Sequence, residues 1–342
     1  MDLISPQPAR LAPTPAASRS CLLVFALAFA ALPASPAPSD LVRLERSLDA
    51  MGTTYTIAVY GEDRFKLDSA MEDAFDEAHR LDRLLSNYRP DSEWSKVNRE
   101  APKGPVQVSG ELFQLLQKCA GYSRASEGAF DITVGPLMKI WGFYKGSGRI
   151  PHRAEIRTAL QRIGWRHILL DAKARTVRFD EPVEMDPGGI GKGYAVDRMV
   201  DILRARGVTS GIISAGRSSI YGLGAPPNEP RGWRITLPNP REPNRNVAEF
   251  FLKDGSMSTS GTSEKFFVAG GVTYSHIMDP RTGYPARGML TVSVLAPKTI
   301  DSEAWTKPYF ILGRQWAARH KPNDFRVFLC EDRTELACVS LP

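Results

Sequence analysis

Two periods of apolar residues run through the chain. In residues 66–85, Leu67, Met71, Phe75, Ala78, Leu81 and Leu85 recur three and four apart, with Asp, Glu and Arg between them. That spacing gathers the apolar side chains on one face of a helix. A second amphipathic helix is predicted over 112–123, with Leu112, Leu115, Leu116 and Cys119 inward. Shorter helical patterns cover 151–163, 194–206 and 302–312. Between them lie runs rich in β-branched and aromatic residues at 55–60, 168–170, 176–179, 211–221, 233–237, 248–252, 272–278 and 290–295, and a hairpin closes the chain. These strands come in runs and not in strict alternation with helices, which predicts an α+β fold with a mainly antiparallel sheet and flanking helices. No internal repeat or long linker interrupts it.

Composition changes this picture little. The chain has 342 residues, 42% of them hydrophobic and 24% charged, enough for a proper core in one large domain or two small ones. A formal charge of +6 is mildly basic, and no run of five basic residues occurs, so nucleic acid is not implied. The N-terminus changes it more. Arg10 and Arg19 precede an apolar run at 21–32, followed by small residues and prolines at 33–39. This is the order of a secretory signal, and the run is too short to span a membrane comfortably. We therefore expect residues 1–39 to direct export, with periplasmic localisation and no stable membrane span after processing, and residues 40–342 to form the functional domain.

Cys119, Cys330 and Cys338 remain beyond the signal region. An odd count without a CxxC argues against a metal cluster or a disulfide framework. Cys330 and Cys338 fall in the closing hairpin and could pair in an oxidising compartment; if the hairpin turns at Asp332 and Arg333 they do not face each other and read as buried thiols.

The chemistry gathers at residues 186–193, DPGGIGKG, with four glycines and one lysine in eight positions. Glycine lets peptide N–H groups approach a ligand closely, Lys192 adds a compact cation, and the helix that follows favours negative charge at its start. The stretch suits a phosphate. It suits a plain strand-to-helix turn equally well, because Gly193 follows Lys192 where a Walker loop has Ser or Thr, and Tyr194 stands where a dinucleotide fingerprint has its third glycine. Asp131, set among apolar and small residues at 128–143, needs hydrogen bonds to be tolerated there, and turn-making explains it as readily as ligand contact.

Six segments decide between these readings. They are SNYRPDSEWSKVN, GAFDITVGPL, DPGGIGKGYAVDR, the Ser-Ala-Gly ending at Gly216, STSGTSEKFF, and YSHIMDPRTGYP. In this order, from Met51 to about Gly313, they resemble the FAD:protein FMN transferase family, ApbE. The resemblance implies an exported, two-lobed α+β protein (T-fold-like) that binds FAD and, with Mg2+, transfers FMN to a threonine or serine of an exported or membrane-bound acceptor protein, releasing AMP. It implies Lys192 and His276 as catalytic, with His276 as the base. It implies flavin or nucleotide contacts from Met51, Tyr88, Ser92, Asp131, Thr133, Gly188, Gly189, Gly216, Arg217, Ser260 and Gly261, and metal contacts from Gly191, Glu303 and Thr306. Asp279, Thr282 and Gly283 read as makers of a turn that holds His276.

The resemblance departs at three places. Arg217-Ser218-Ser219 replaces a glycine and an acidic or amide residue, and Thr262 replaces an aspartate, with Glu264 near enough to substitute. Aligned on Gly313, Glu303 stands where the family has an aspartate ligand and Lys307 where it has a threonine. A charged lysine cannot ligate, but it can stand for part of a cation's charge. An FAD pyrophosphatase and a non-catalytic flavin carrier therefore stand as alternatives to the transferase.

Overall fold

The computed structural model describes residues 41–342, so the expected signal region lies outside the described residues. Eight strands pair antiparallel with their neighbours in chain order. They are β1 (Val42–Ala50), β2 (Thr53–Gly61), β3 (Ser210–Ala215), β4 (Ser219–Leu223), β5 (Gly255–Gly261), β6 (Met289–Ala296), β7 (Arg326–Glu331) and β8 (Ala337–Leu341). Everything else is inserted into this meander. Between β2 and β3 come α1 (Arg64–Leu85), α2 (Glu93–Glu100), α3 (Gly110–Ala125), α4 (Gly135–Ile140), α5 (Arg153–Leu160), a three-stranded sheet and α6 (Gly191–Ala205). Between β6 and β7 runs α7 (Thr299–His320).

The large sheet is covered on both faces, which explains apolar runs such as TVSVLA in β6. Val292, Val294, Val327 and Leu329 pack against Tyr309 and Phe310 of α7. Their sequence neighbours Leu295 and Phe328 point the other way, onto the hairpin Trp233–Pro238 and Asn246–Leu252. Helices α1 and α6 cover β1–β4 through Leu67, Met71, Phe75, Met199 and Leu203. A second core joins Trp94, Leu112, Leu116 and Phe130 to Val177 and Met185. Ile190 belongs to this second core and Ala195 to the first, so the glycine loop spans the seam between them.

The expected antiparallel α+β architecture is therefore the observed one, with five differences in detail. The segment 41–51, for which no element was predicted, forms β1, an edge strand. The single strand expected at 211–221 is two, β3 and β4, turned at Gly216, which adopts φ 57°. The polar segment STSG belongs to β5, with its serines buried. Helix α7 is longer than 302–312 and loses helical geometry at Gly313, with φ 82°. Finally, the hairpin turn is wider than the Asp332-Arg333 turn assumed, which brings Cys330 opposite Cys338, and the two form a disulfide. Cys119 is the buried thiol among the described residues.

Candidate functional site

The loop at 186–193 is fastened from behind and open in front. Asp186 caps the short turn Pro187–Gly189: its Oδ1 accepts from the Gly188 N–H at 2.6 Å, while Oδ2 accepts from Asn87 Nδ2 at 3.1 Å and from the Tyr144 hydroxyl. Burial raises the Asp186 pKa, and these three donors oppose the rise. No side chain caps the N-terminus of α6, so its first N–H groups stay available, as helix termini leave them. The exception is Gly193, whose N–H donates to Glu303 Oε2. Lys192, in the first turn, donates from Nζ to Ser218 Oγ at 2.5 Å. Ser218 follows the Gly216 turn, where a Cβ would come 2.8 Å from Thr53 Oγ1.

Helix α7 supplies the opposite wall. Its N-terminus is pinned to α6 by Asp197, which accepts from the N–H groups of Thr299 and Ile300 at 2.7 and 2.9 Å. One turn on, Glu303 is 2% exposed, and its Oε1 is buried without a hydrogen-bond partner among the described residues. Thr306 Oγ1 donates to Glu303 O at 2.8 Å and accepts from Ser260 Oγ at 2.8 Å. Lys307 Nζ donates to the same carbonyl at 2.9 Å, and its Cε lies against Gly189, 3.7 Å from where a Cβ would stand. Asp301 turns away and accepts from the Tyr122 hydroxyl. A shift of two residues from Glu303 rotates a helical side chain by about 200°.

His276 completes the site. Its Nδ1 lies 3.2 Å from Lys265 O. A carbonyl only accepts, so Nδ1 carries the proton and Nε2 presents a lone pair. Nε2 lies 3.9 Å from Glu264 Oε2. Burial lowers the His276 pKa to about 4, against the hydrogen bond to Lys265 O, which raises it; the charges of Lys307, Lys192 and Lys265 lower it further. The imidazole is thus neutral at neutral pH and set in a field of three cations. Burial likewise lowers the Lys307 pKa, with Glu303 opposing and Lys192 reinforcing the shift. Asp279, in the turn after His276, is held by Arg281 and accepts from the Gly283 side of the turn through its backbone.

Lys192, Gly189, Gly191, Ser260, Glu303, Thr306 and Lys307 are linked by direct contacts or neighbouring positions, and His276 senses two of their charges. Met51 reaches the same place from the β1–β2 turn, its Cε 3.2 Å from a Gly191 Cβ position, and it adopts a left-handed φ of 51°. Gly261 ends β5 beside Ser260. Other expected residues have local work. Ser92 caps α2, accepting from Ser95 N at 3.0 Å and donating to Ser86 O at 2.6 Å. Both Asp131 oxygens are engaged, by Thr133 N and Oγ1 and by Trp165 N, and Thr133 Oγ1 also accepts from Gly164 N, so the pair fixes a turn. Tyr88 is exposed and meets Tyr144 edge-on, and Arg217 is exposed. Sequence reasoning passed over Ser218, Asn87 and Asp197. Only Asp186 carried a legible signal, an Asp before Pro-Gly-Gly that reads as a cap.

Known proteins share this fold and sequence family. The ApbE family profile matches residues 51–328. The FAD:protein FMN transferase of Klebsiella pneumoniae is 31% identical over 291 residues, covering 83% of this chain and 88% of that one. That of Treponema pallidum is 29% identical over 310 residues, 85% of each. The ApbE protein of Thermotoga maritima superposes with a TM-score of 0.79 at 30% identity, over 86% of this chain and 96% of that one. The flavin transferase ApbE of Vibrio cholerae does so at 0.76 and 25% identity, over 88% and 97%. On the extent of these matches, the chain belongs to the ApbE family.

Proposed function

We propose that this protein transfers FMN from FAD to a threonine or serine hydroxyl of an acceptor protein and releases AMP. The observation that carries this reading is His276: a neutral imidazole with a bare Nε2, beside Lys192 and an uncapped helix N-terminus that suit a diphosphate. The acceptor oxygen attacks the phosphorus of the FMN half and forms a phosphoester. The P–O bond to the bridging oxygen breaks, AMP leaves with that oxygen, and the hydroxyl proton passes to Nε2. Glu264 stabilises the imidazolium so formed. Lys192 and the glycine backbone neutralise charge on the phosphates, where preorganised donors are worth most.

Mg2+ needs a separate test of fit. Of the ligands implied for it, Glu303 offers one unpartnered carboxylate oxygen, while Thr306 already donates to Glu303 O and accepts from Ser260. Mg2+ is ordinarily held by one or two carboxylates together with water and substrate phosphates, and among the residues implied for it the one carboxylate is Glu303. The Lys307 ammonium bonds the backbone of the same helical turn. With that ammonium already on the turn that carries Glu303, we assign no resident Mg2+, and no step above passes through one.

Export to the periplasm is part of the proposal. The Cys330–Cys338 disulfide suits an oxidising compartment, and no helix among the described residues is long and apolar enough to cross a membrane. Purified protein incubated with FAD and an acceptor carrying a threonine should give AMP and covalent flavin in equal amounts. AMP without covalent flavin would identify a pyrophosphatase, and intact bound FAD a carrier. Lys192→Ala should weaken FAD binding by about tenfold or more, as expected for loss of a charge-assisted contact; unchanged affinity would remove Lys192 from the diphosphate site.

A further inference from the structure

Lys307 is an unusual lysine. It is half-buried on α7, and no carboxylate lies within ion-pair distance of it among the described residues. Its one hydrogen bond, to Glu303 O at 2.9 Å, uses one of three ammonium protons. A partly buried ammonium without a direct counter-ion is costly, so its position needs a reason. Its chain lies along Gly189, with Cε an ordinary contact distance of 3.7 Å from where a Cβ would stand. Its charge reaches His276, Lys192, Glu303 and Glu264, which places it inside the site and not beside it. Lys192 on α6 and Lys307 on α7 are near enough for each charge to disfavour the other, which an anion between them would relieve. The single carboxylate on this wall, Glu303, is already committed through Oε2 to the Gly193 N–H.

We infer that the Lys307 ammonium is the resident cation for the FAD diphosphate, doing with a covalently held charge what a divalent metal would otherwise do, so that FAD binds this protein without any metal. The inference rests on the proposed use of FAD, but it concerns binding and does not require turnover. A fixed ammonium neutralises a phosphate oxygen and donates to it, and it needs no oxygen ligands. On the turn that carries Glu303, the carboxylate implied as a ligand, the chain places a lysine. Glu303 then serves as the acceptor that orients the α6 N-terminus, with its charge felt by Lys307 from beyond ion-pair distance, and not as a metal ligand.

The test measures FAD affinity by quenching of flavin fluorescence, in EDTA and in excess Mg2+, with no acceptor present. For the wild-type protein we expect the two affinities to agree within about twofold. Lys307→Met should weaken binding by about tenfold or more in EDTA, the scale of one charge-assisted contact, while Lys307→Arg, which keeps the charge, should recover most of it. A wild-type affinity that falls tenfold in EDTA and returns with Mg2+ would overturn the inference, and so would a folded Lys307→Met protein that binds FAD normally in EDTA. The wild-type comparison tests metal-free binding even if Lys307→Met fails to fold, and Lys307→Gln then serves as the second variant for the lysine itself. FAD binding that ignores EDTA but falls in Lys307→Met, combined with no AMP or covalent flavin from any acceptor, would uphold the role of Lys307 and overturn the transferase reading. No FAD binding in either buffer would overturn both.

Discussion

Gly193 is where the two site helices meet, and replacing it tests how tightly they are held. A Cβ added there would lie 2.5 Å from Thr299 O, 2.8 Å from Thr299 C and 2.9 Å from Glu303 Oε2. Reaching an ordinary contact of 3.4 Å requires the carbonyl of Thr299 to retreat by about 0.9 Å. That carbonyl belongs to the residue whose N–H is fixed to Asp197 at 2.7 Å, so α7 cannot move away without stretching its tie to α6. The Gly193 N–H bond to Glu303 is stretched by the same movement. Overpacking of this kind costs about 1–3 kcal/mol. Weakening the buried charge-assisted bond adds about 1–2 kcal/mol. The better helix propensity of alanine returns about 1 kcal/mol. The net expectation for Gly193→Ala is a loss on the order of 2–3 kcal/mol, read as a shift in the urea midpoint followed by tryptophan fluorescence. Gly121→Ala is the control: Gly121 lies within α3 with nothing within 4 Å of its Cβ position. It should gain up to about 1 kcal/mol. If Gly193→Ala matches the wild type within about 0.5 kcal/mol while the control behaves as expected, the close α6–α7 contact and its role in presenting Lys192 are refuted.

His276→Gln should lower covalent flavin transfer by about 10²–10⁴-fold, the usual contribution of a general base, while FAD affinity changes by no more than a few-fold; a variant with normal transfer would exclude His276 as the base. The free protein should show His276 titrating near pH 4 by NMR of its ring protons, and bound FAD should move the midpoint upward, because the diphosphate offsets the Lys307, Lys192 and Lys265 charges; a midpoint near 6.5 without FAD would contradict the burial argument. The sign for stability follows: the unfolded histidine gains its proton below its ordinary 6.5 while the folded one resists down to about 4, so this contribution is complete above 6.5 and is lost as pH falls between them. Cys338→Ser should cost about 2–3 kcal/mol, since the cross-link closes a short loop eight residues long in sequence separation. Dithiothreitol should destabilise the wild-type protein by a similar amount and leave the variant unchanged; equal sensitivity of both would show that the bond contributes nothing.

The amino-acid sequence by itself determined the element types, the antiparallel class and the family. These depend on local periodicity and on short segments whose residues stand close together in the chain. Thus α1 was legible from its apolar stripe, and the site loop from its glycines and Lys192. β1 was missed because Arg46 interrupts the alternation of Val42, Leu44, Leu48 and Ala50. The polar strand β5 was missed because its buried serines are satisfied by α7, Ser256 and Ser258 through Ser302 and Ser260 through Thr306. Tertiary structure alone decided the rest. Which serine receives Lys192, which carboxylate holds the α6 terminus, and that Cys330 faces Cys338 are contacts between residues 26, 110 and 8 positions apart. Such pairings are set by strand register and helix packing, which leave no periodic trace in the chain. The same holds for Lys307: the sequence showed a lysine out of place on a helix, and only the fold showed that it points at the glycine loop.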